Sequence, residues 1–162
     1  MKYKLLFIFL VSWCISSPIK INLVSTNDIH GVIASQEATF MNPLYPPTIS
    51  GGAAFSKYLD DLRSLSASND EGILVLDGGN FFQGNPLGIV DHGITMIEWM
   101  NRLGYDAFVA GSYDFISGVN SLMDLSKIAE FPLLFANLEC DNCPIKADQI
   151  KPYIIKNISG VK

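Results

Sequence analysis

Short apolar runs alternate along this chain with longer segments in which apolar residues recur at helical spacing. The apolar runs end at small or polar residues and predict four buried strands, over residues 21–25, 73–76, 107–110 and 133–136. The periodic segments predict three helices, over residues 51–68, 94–104 and 118–130, with Gly104 ending the second. Because strand and helix alternate, the pattern favours a layered α/β fold.

The third helix is predicted to present one apolar face, made of Val119, Leu122, Leu125 and Ile128. The longest irregular piece is residues 32–50, with "NPLYPPT" at its centre, and a loop of that length is usually functional or covers something. Phe81, Phe82 and Trp99 are expected to pack in the core or its loops.

Polar residues follow each predicted strand, where the strand ends. They are Asp28 and His30, then 77–80, then 111–114, and Asn137 after the fourth strand. In α/β sheets, ligands bind beyond the carboxyl ends of the strands, so these clusters predict one site at one edge of the sheet.

The N-terminus reads as a secretory signal peptide over residues 1–17. Lys2 and Lys4 precede an apolar stretch over residues 5–15, and two serines come before Pro18. The stretch is shorter than the roughly 20 residues that span a bilayer, although an uncleaved membrane anchor is the alternative. We therefore expect a secreted or periplasmic protein without a stable membrane span after signal cleavage.

Charge and cysteine content limit which binding partners and which cysteine chemistry are expected. The chain has 162 residues, 16 acids and 11 bases, a formal charge of −5 and no Lys/Arg cluster, so nucleic acid is not expected as a partner. Cys140 and Cys143 are expected to form a local disulfide or to remain free thiols; a zinc site would need a second pair of ligands.

The stretch "TNDIHG" carries the first chemical signal. Asp28 and His30 would lie on the same side of an extended chain, both are ligands for a divalent ion, and Gly31 lets the backbone turn away. The alternative is an aspartate that caps a turn beside an unrelated surface histidine. Gly79 and Gly84 have P-loop spacing, but Asn-Pro follows instead of Lys-Ser/Thr, which excludes a P-loop.

Taken together, "TNDIHG", "LDGGNFFQG", "GYDAFVAGSYDF" and "FPLLFANLE" with "KPYIIKNISGVK" resemble the 5′-nucleotidase family of secreted metallophosphoesterases. The resemblance covers residues 21–162 and implies the N-terminal part of a calcineurin-like metallophosphoesterase αββα sandwich, a pair of β-sheets flanked by helices. It also implies two divalent metal ions that hold a phosphate ester and activate a water molecule, with nucleotides or other small phosphate esters as substrates.

The resemblance assigns the first-metal ligands to Asp28 and His30, both of which are intact. The family's aspartate that bridges the two metals corresponds here to Asn80. An ionised carboxylate offsets the repulsion between two dications, whereas a neutral amide offers one carbonyl oxygen and no charge.

The third motif, "GSYDFI" over residues 111–116, differs from the family pattern at three positions. Ser112 stands where the family has the asparagine that binds the second metal, Tyr113 where it has the catalytic histidine, and Ile116 where it has the aspartate that pairs with this histidine. A tyrosine is neutral at pH 7 and supplies no positive charge. Ile116 has no group that could orient an imidazole.

These departures predict at most one bound metal ion and little or no phosphoesterase activity. The resemblance itself implies a small-molecule phosphate ester or nucleotide as ligand. The alternative is a non-catalytic relative or fragment that keeps the fold as a ligand-binding module. The family's remaining histidine ligands lie on later loops, so residues 18–162 are expected to be an N-terminal portion, incomplete at its C-terminus. His92 is expected to be a surface or capping residue.

Overall fold

A five-stranded parallel sheet forms the centre of the computed structural model, which describes residues 18–138 and 150–162. The strands are β1 (Ile21–Thr26), β2 (Gln36–Glu37), β3 (Thr48–Ile49), β4 (Gly72–Asp77), β5 (Ala107–Phe108), β6 (Leu133–Leu134) and β7 (Ile150–Lys151). The sheet has the order β1-β4-β5-β6-β7, and β2 pairs with β3 in a separate antiparallel hairpin. Parallel order with helical crossovers confirms the predicted α/β class.

In the part of the chain that the structure describes, four α-helices connect the strands. They are α1 (Gly52–Ser68), α2 (Pro86–Ile89), α3 (Ile94–Leu103) and α4 (Val119–Ile128), and a 3-10 turn, Ser112–Phe115, precedes α4. The three predicted helices are confirmed as α1, α3 and α4. Gly104 ends α3 with a φ of 62°, the left-handed conformation that glycine adopts without steric cost. The predictions did not include the four-residue α2, which is too short to show a period.

The predicted third and fourth strands were too long. β5 and β6 each have two residues, because the chain leaves the sheet after Phe108 and Leu134 to enter loops at its edge. The hairpin of β2 and β3 lies within the segment predicted to be irregular, and β7 was not predicted at all.

The core lies between the sheet and the helices. Phe81 and Phe82 are fully buried, as expected, and the Phe81 ring lies 4.9 Å from the rings of both Phe82 and Phe108, centroid to centroid. Trp99 is partly buried against this core. The pattern predicted only the middle of the α4 face correctly: Leu122 and Leu125 are buried, but Ile128 is 37% exposed at the end of the helix.

One face of the sheet is much less covered than the other. Side chains of β1 alternate between faces, and Leu23 on the open face is 64% exposed. The register places Leu74 of β4 beside Leu23. Leu74 lines an open apolar cleft of about 350 Å³ together with residues of the C-terminal segment, among them Ile154 and Ile158.

Two sequence predictions fall on residues outside the described ranges. The signal peptide over residues 1–17 is one, and the state of Cys140 and Cys143 is the other. A second large sheet, which the αββα sandwich requires, is not present within residues 18–138 and 150–162. Among the helices in those ranges, none has both the length and the apolar character that a bilayer span requires.

Candidate functional site

The loops after β1 and β4 run side by side at the carboxyl edge of the sheet. The amide of Asp28 donates to the carbonyl of Gly79 over 2.9 Å, and that of His30 donates to the carbonyl of Asn80, also over 2.9 Å. Gly31 continues this pairing by donating to Phe81 over 2.8 Å. These backbone bonds extend the pairing of the two strands beyond the sheet and hold Asp28 and His30 against the glycine-rich loop.

Asp28 and His30 are not on an extended chain, so that part of the sequence prediction is wrong. Both residues have left-handed backbone conformations, with φ of 52° and 51°, and Asn80 opposite them has a φ of 58°. The side chains of Asp28 and His30 nevertheless converge, with 3.6 Å between His30 Nε2 and Asp28 Oδ1. A left-handed conformation costs a non-glycine residue roughly 1–2 kcal/mol, and such residues concentrate at functional sites.

Gly79 brings the loop after β4 close to the loop after β5. Its φ is 102°, and a Cβ atom at this position would lie 2.2 Å from the amide nitrogen of Gly111 and 2.6 Å from the carbonyl oxygen of Val109. Only glycine fits so near another backbone. The two loops therefore meet at the candidate site because position 79 lacks a side chain.

Asn80 joins the three loops through its side-chain amide. Its Nδ2 donates to Asp28 Oδ1 over 2.7 Å, and its Oδ1 accepts a hydrogen bond from the backbone amide of Tyr113 over 3.0 Å. The other oxygen of Asp28 accepts a hydrogen bond from the side chain of Asn27. Both ends of the Asn80 amide are therefore engaged, and its NH₂ group faces the Asp28 carboxylate.

Asp114 is fully buried and connects the loops after β4 and β5 through its carboxylate. Its carboxylate accepts hydrogen bonds from the backbone amides of Asn80 at 2.7 Å, Phe81 at 3.0 Å and Gly111 at 2.8 Å. Burial raises the pKa of this carboxyl group, and the three amide bonds oppose that shift. Sequence reasoning missed this role; the signal was an aspartate three residues after a glycine in "GSYD".

Asp77 is the second buried carboxylate near the site. It is 2% exposed, accepts a hydrogen bond from the Thr26 hydroxyl over 2.6 Å and another from the Gly79 amide over 2.8 Å. Burial raises the pKa of Asp77 to about 6. The hydroxyl of Tyr105 lies 2.8 Å from that of Thr26, and burial raises the pKa of Tyr105 to about 12.

The remaining predicted site residues lie around this centre and are more exposed than the buried carboxylates of Asp77 and Asp114. Tyr113 is 52% exposed, and its ring meets the His30 imidazole edge-on at a centroid distance of 5.7 Å. Ser112 is exposed at the start of the 3-10 turn, and Ile116 is 64% exposed just after it. The structure thus brings Asp28, His30, Asn80 and Tyr113 together.

The side chains at this centre do not fit a binuclear metal site. The donor NH₂ of Asn80 faces Asp28, so the amide presents hydrogens where a bridging carboxylate presents oxygens. Among the described residues, no group of three or more His, Cys, Asp and Glu side chains is placed to hold a metal ion. Asp28 and His30 are the two side chains at this centre that the sequence predicts as intact metal ligands.

A cleft of about 480 Å³ opens beside Asp28 and His30, and Phe55 and Trp99 also line it. Its volume lies in the range of small-molecule sites, roughly 300–1,000 Å³. Asn137 lines a separate cleft of about 590 Å³. His92 is exposed just before α3, with its Nδ1 3.4 Å from the Ser117 hydroxyl, and lines a third cleft.

No family model matches this chain. It is 31% identical over 147 residues to the snake venom 5′-nucleotidase of Naja atra, which covers 88% of this chain, and 31% identical over 133 residues to the 5′-nucleotidase of Mus musculus, which covers 80%. The crystal structure of the 5′-nucleotidase precursor from Thermus thermophilus superposes on 85% of the chain with a TM-score of 0.73 and 28% identity. Over most of its length, the chain is similar to the N-terminal part of 5′-nucleotidases.

The chain spans about a quarter of the length of these 5′-nucleotidases: 27% of the Naja atra protein, 22% of the Mus musculus protein and 26% of the Thermus thermophilus chain. Its parallel sheet and flanking helices match the N-terminal domain of 5′-nucleotidase structures, which confirms the fold class predicted from the sequence. The roles of Asp28, His30, Asn80, Ser112 and Tyr113 remain predictions.

Proposed function

We propose that this chain is part of a 5′-nucleotidase-type phosphoesterase that binds a nucleotide or similar phosphate ester and hydrolyses it only weakly. The observation that carries the proposal is the side chain of Asn80. It stands at the family's bridging aspartate position, and its NH₂ group donates to Asp28. A site with a neutral bridge and a donor facing its first ligand lacks the charge that holds two dications together.

Three further side chains support the same proposal. Tyr113, Ser112 and Ile116 stand at the family's positions for the catalytic histidine, the second-metal asparagine and the aspartate partner of the histidine. Tyr113 contacts His30 edge-on, so its ring occupies space beside a remaining ligand. The site therefore lacks both the second-metal ligand and the positive group that stabilises charge on the reacting phosphoryl group.

Secretion or export to the periplasm belongs to this proposal, and its support is the signal-like pattern at the N-terminus. We also propose that residues 18–162 are the N-terminal portion of a calcineurin-like metallophosphoesterase domain. The family resemblance over residues 21–162 supports that assignment.

The test is phosphate release from 5′-AMP in Mn²⁺ buffer, measured in the protein as its source organism makes it. We expect the natural protein to release phosphate at a rate close to that measured in buffer without protein. The variant Asn80→Asp, Ser112→Asn, Tyr113→His and Ile116→Asp is expected to gain roughly tenfold or more, since single catalytic groups contribute about 10²–10⁴-fold. Fast metal-dependent turnover by the natural protein would refute the proposal, and no gain in the variant would count against this interpretation of the site.

A ligand-binding module without catalysis is the second candidate. The cleft beside Asp28 and His30 favours it, since about 480 Å³ of volume remains beside two intact polar side chains and the rings of Phe55 and Trp99. Isothermal titration with 5′-AMP in EDTA separates the two candidates. Saturable binding in EDTA with no phosphate release in Mn²⁺ buffer supports the module, whereas phosphate release in Mn²⁺ buffer without detectable binding in EDTA supports the enzyme.

A further inference from the structure

Two side-chain amides donate hydrogen bonds to the Asp28 carboxylate in this structure. Asn80 Nδ2 donates to Asp28 Oδ1 over 2.7 Å, and the Asn27 side chain donates to Oδ2. Both carboxylate oxygens thus face N–H groups supplied by the protein. Charge-assisted hydrogen bonds of this kind are roughly twice as strong as those between neutral groups.

We propose that Asn80 is a structural substitute for the bound metal ion. Its amide connects Asp28 in the loop after β1 with the Tyr113 backbone in the loop after β5, while Asn80 itself belongs to the loop after β4. The site therefore keeps its shape without a divalent cation, and the stability of the fold does not depend on one. This inference deepens the proposed function and rests on it.

The position of the contact explains why an amide suits the task and a carboxylate does not. An aspartate at position 80 could still accept the hydrogen bond from the Tyr113 amide, because that bond uses an oxygen in both cases. It would, however, place a second carboxylate oxygen at the 2.7 Å contact with Asp28. Two like charges at this separation repel, so Asn80→Asp turns one attraction into a repulsion that a cation must compensate.

The experiment is thermal unfolding of the natural chain and of Asn80→Asp, each in EDTA and in Mn²⁺. The natural chain is expected to unfold at the same temperature in both buffers. Asn80→Asp is expected to unfold about 2–4 °C lower in EDTA and to regain that loss in Mn²⁺. Calorimetric titration with Mn²⁺ alone is expected to show roughly tenfold tighter binding to the variant, because a carboxylate has been added beside Asp28 and His30.

Asn85→Asp is the matched control, since it makes the same chemical change in the same loop. Asn85 caps α2 by accepting from the Leu87 amide over 3.2 Å, and an aspartate serves this purpose equally well. The control is therefore expected to unfold like the natural chain in both buffers. Should Asn80→Asp not fold, Asn27→Asp provides the same readout from an exposed position beside the other oxygen of Asp28.

The outcomes separate this inference from the proposed function. A natural chain that loses stability in EDTA, or gains it in Mn²⁺ as Asn80→Asp does, overturns the inference even if it hydrolyses nothing. An Asn80→Asp variant as stable as the natural chain in EDTA also overturns it. A natural protein that hydrolyses 5′-AMP and unfolds identically in both buffers refutes the proposed function and leaves Asn80 with its structural role.

Discussion

Removal of the Asp114 carboxylate should destabilise the fold more than any other change of one polar side chain described above. Asp114 is fully buried, and Asp114→Ala leaves the amides of Asn80, Phe81 and Gly111 without their acceptor. Each orphaned buried donor costs about 1–3 kcal/mol. Burial raises the pKa of Asp114, which shows that the buried carboxylate is itself unfavourable. Its removal in the variant therefore offsets part of the loss in stability.

The expected loss is therefore roughly 3–6 kcal/mol, a large share of the 5–15 kcal/mol typical of a domain. Urea unfolding followed by circular dichroism measures it, and a slope of about 2 kcal/mol per M translates the loss into a midpoint lower by about 1.5–3 M. Asp114→Asn keeps one acceptor oxygen, which the amides of Asn80 and Gly111 already share, so only the Phe81 bond is lost. That variant should lose about 1–3 kcal/mol.

Asp124→Ala is the control, because Asp124 is exposed and its ion pair with Lys127 joins two solvent-facing side chains. Exposed pairs of this kind contribute roughly 0–1 kcal/mol, so its midpoint should hardly move. A loss below about 1 kcal/mol for Asp114→Ala, or an equal loss for both alanine variants, would show that Asp114 does not hold the site loops together.

Two further predictions concern the buried carboxylate of Asp77 and the close approach at Gly79. The pKa of Asp77 is about 6 in the folded chain and 3.8 for the free side chain, so the folded state binds the proton more tightly. The free energy of unfolding therefore falls as pH rises from 4 to 7, by about 3 kcal/mol for this group. Asp77→Asn should remove that part of the pH dependence in urea unfolding at pH 4.5 and 7.5, and an unchanged slope would contradict the assignment. Gly79→Ala should cost several-fold more than Gly118→Ala in the same assay: both glycines have positive φ, but a Cβ at position 79 meets backbone at 2.2 Å, whereas nothing lies within 4 Å of one at position 118. Equal losses would show that strain in φ, not the contact with Gly111, governs position 79.

Within the described residues, the sequence was sufficient to predict four of the five parallel strands and the three long helices, because short apolar runs mark the strands and helical spacing marks the helices. The apolar run before "TNDIHG" predicts β1, and the spacing of Leu59 and Leu62 predicts α1. The two-residue strands β5 and β6 were overestimated, since an apolar run continues into a loop without any change in pattern. The apolar residues that follow these strands are not all buried: Val109, directly after β5, is 46% exposed, so an apolar run alone does not mark where a strand ends.

Motif order predicted which residues meet at the candidate site, but not how they meet. Asp28, His30 and Asn80 adopt left-handed conformations because partners far away in the sequence hold them there, among them the carbonyl of Gly79 and the carboxylate of Asp114. Such bonds depend on the fold as a whole and leave no local pattern. The direction in which the Asn80 amide points was likewise decided by Tyr113 and could not be derived from the residue type alone.

The edge of β1 that faces away from β4 has a practical consequence for work with this chain in solution. β1 pairs with β4 on one side only within residues 18–138 and 150–162, so its other edge carries backbone groups that another strand can engage. Leu23, 64% exposed on the same strand, adds an apolar surface to that edge. Exposed edges with apolar side chains promote self-association, so oligomers formed at high protein concentration should be attributed first to β1, and unfolding curves are best recorded on dilute samples.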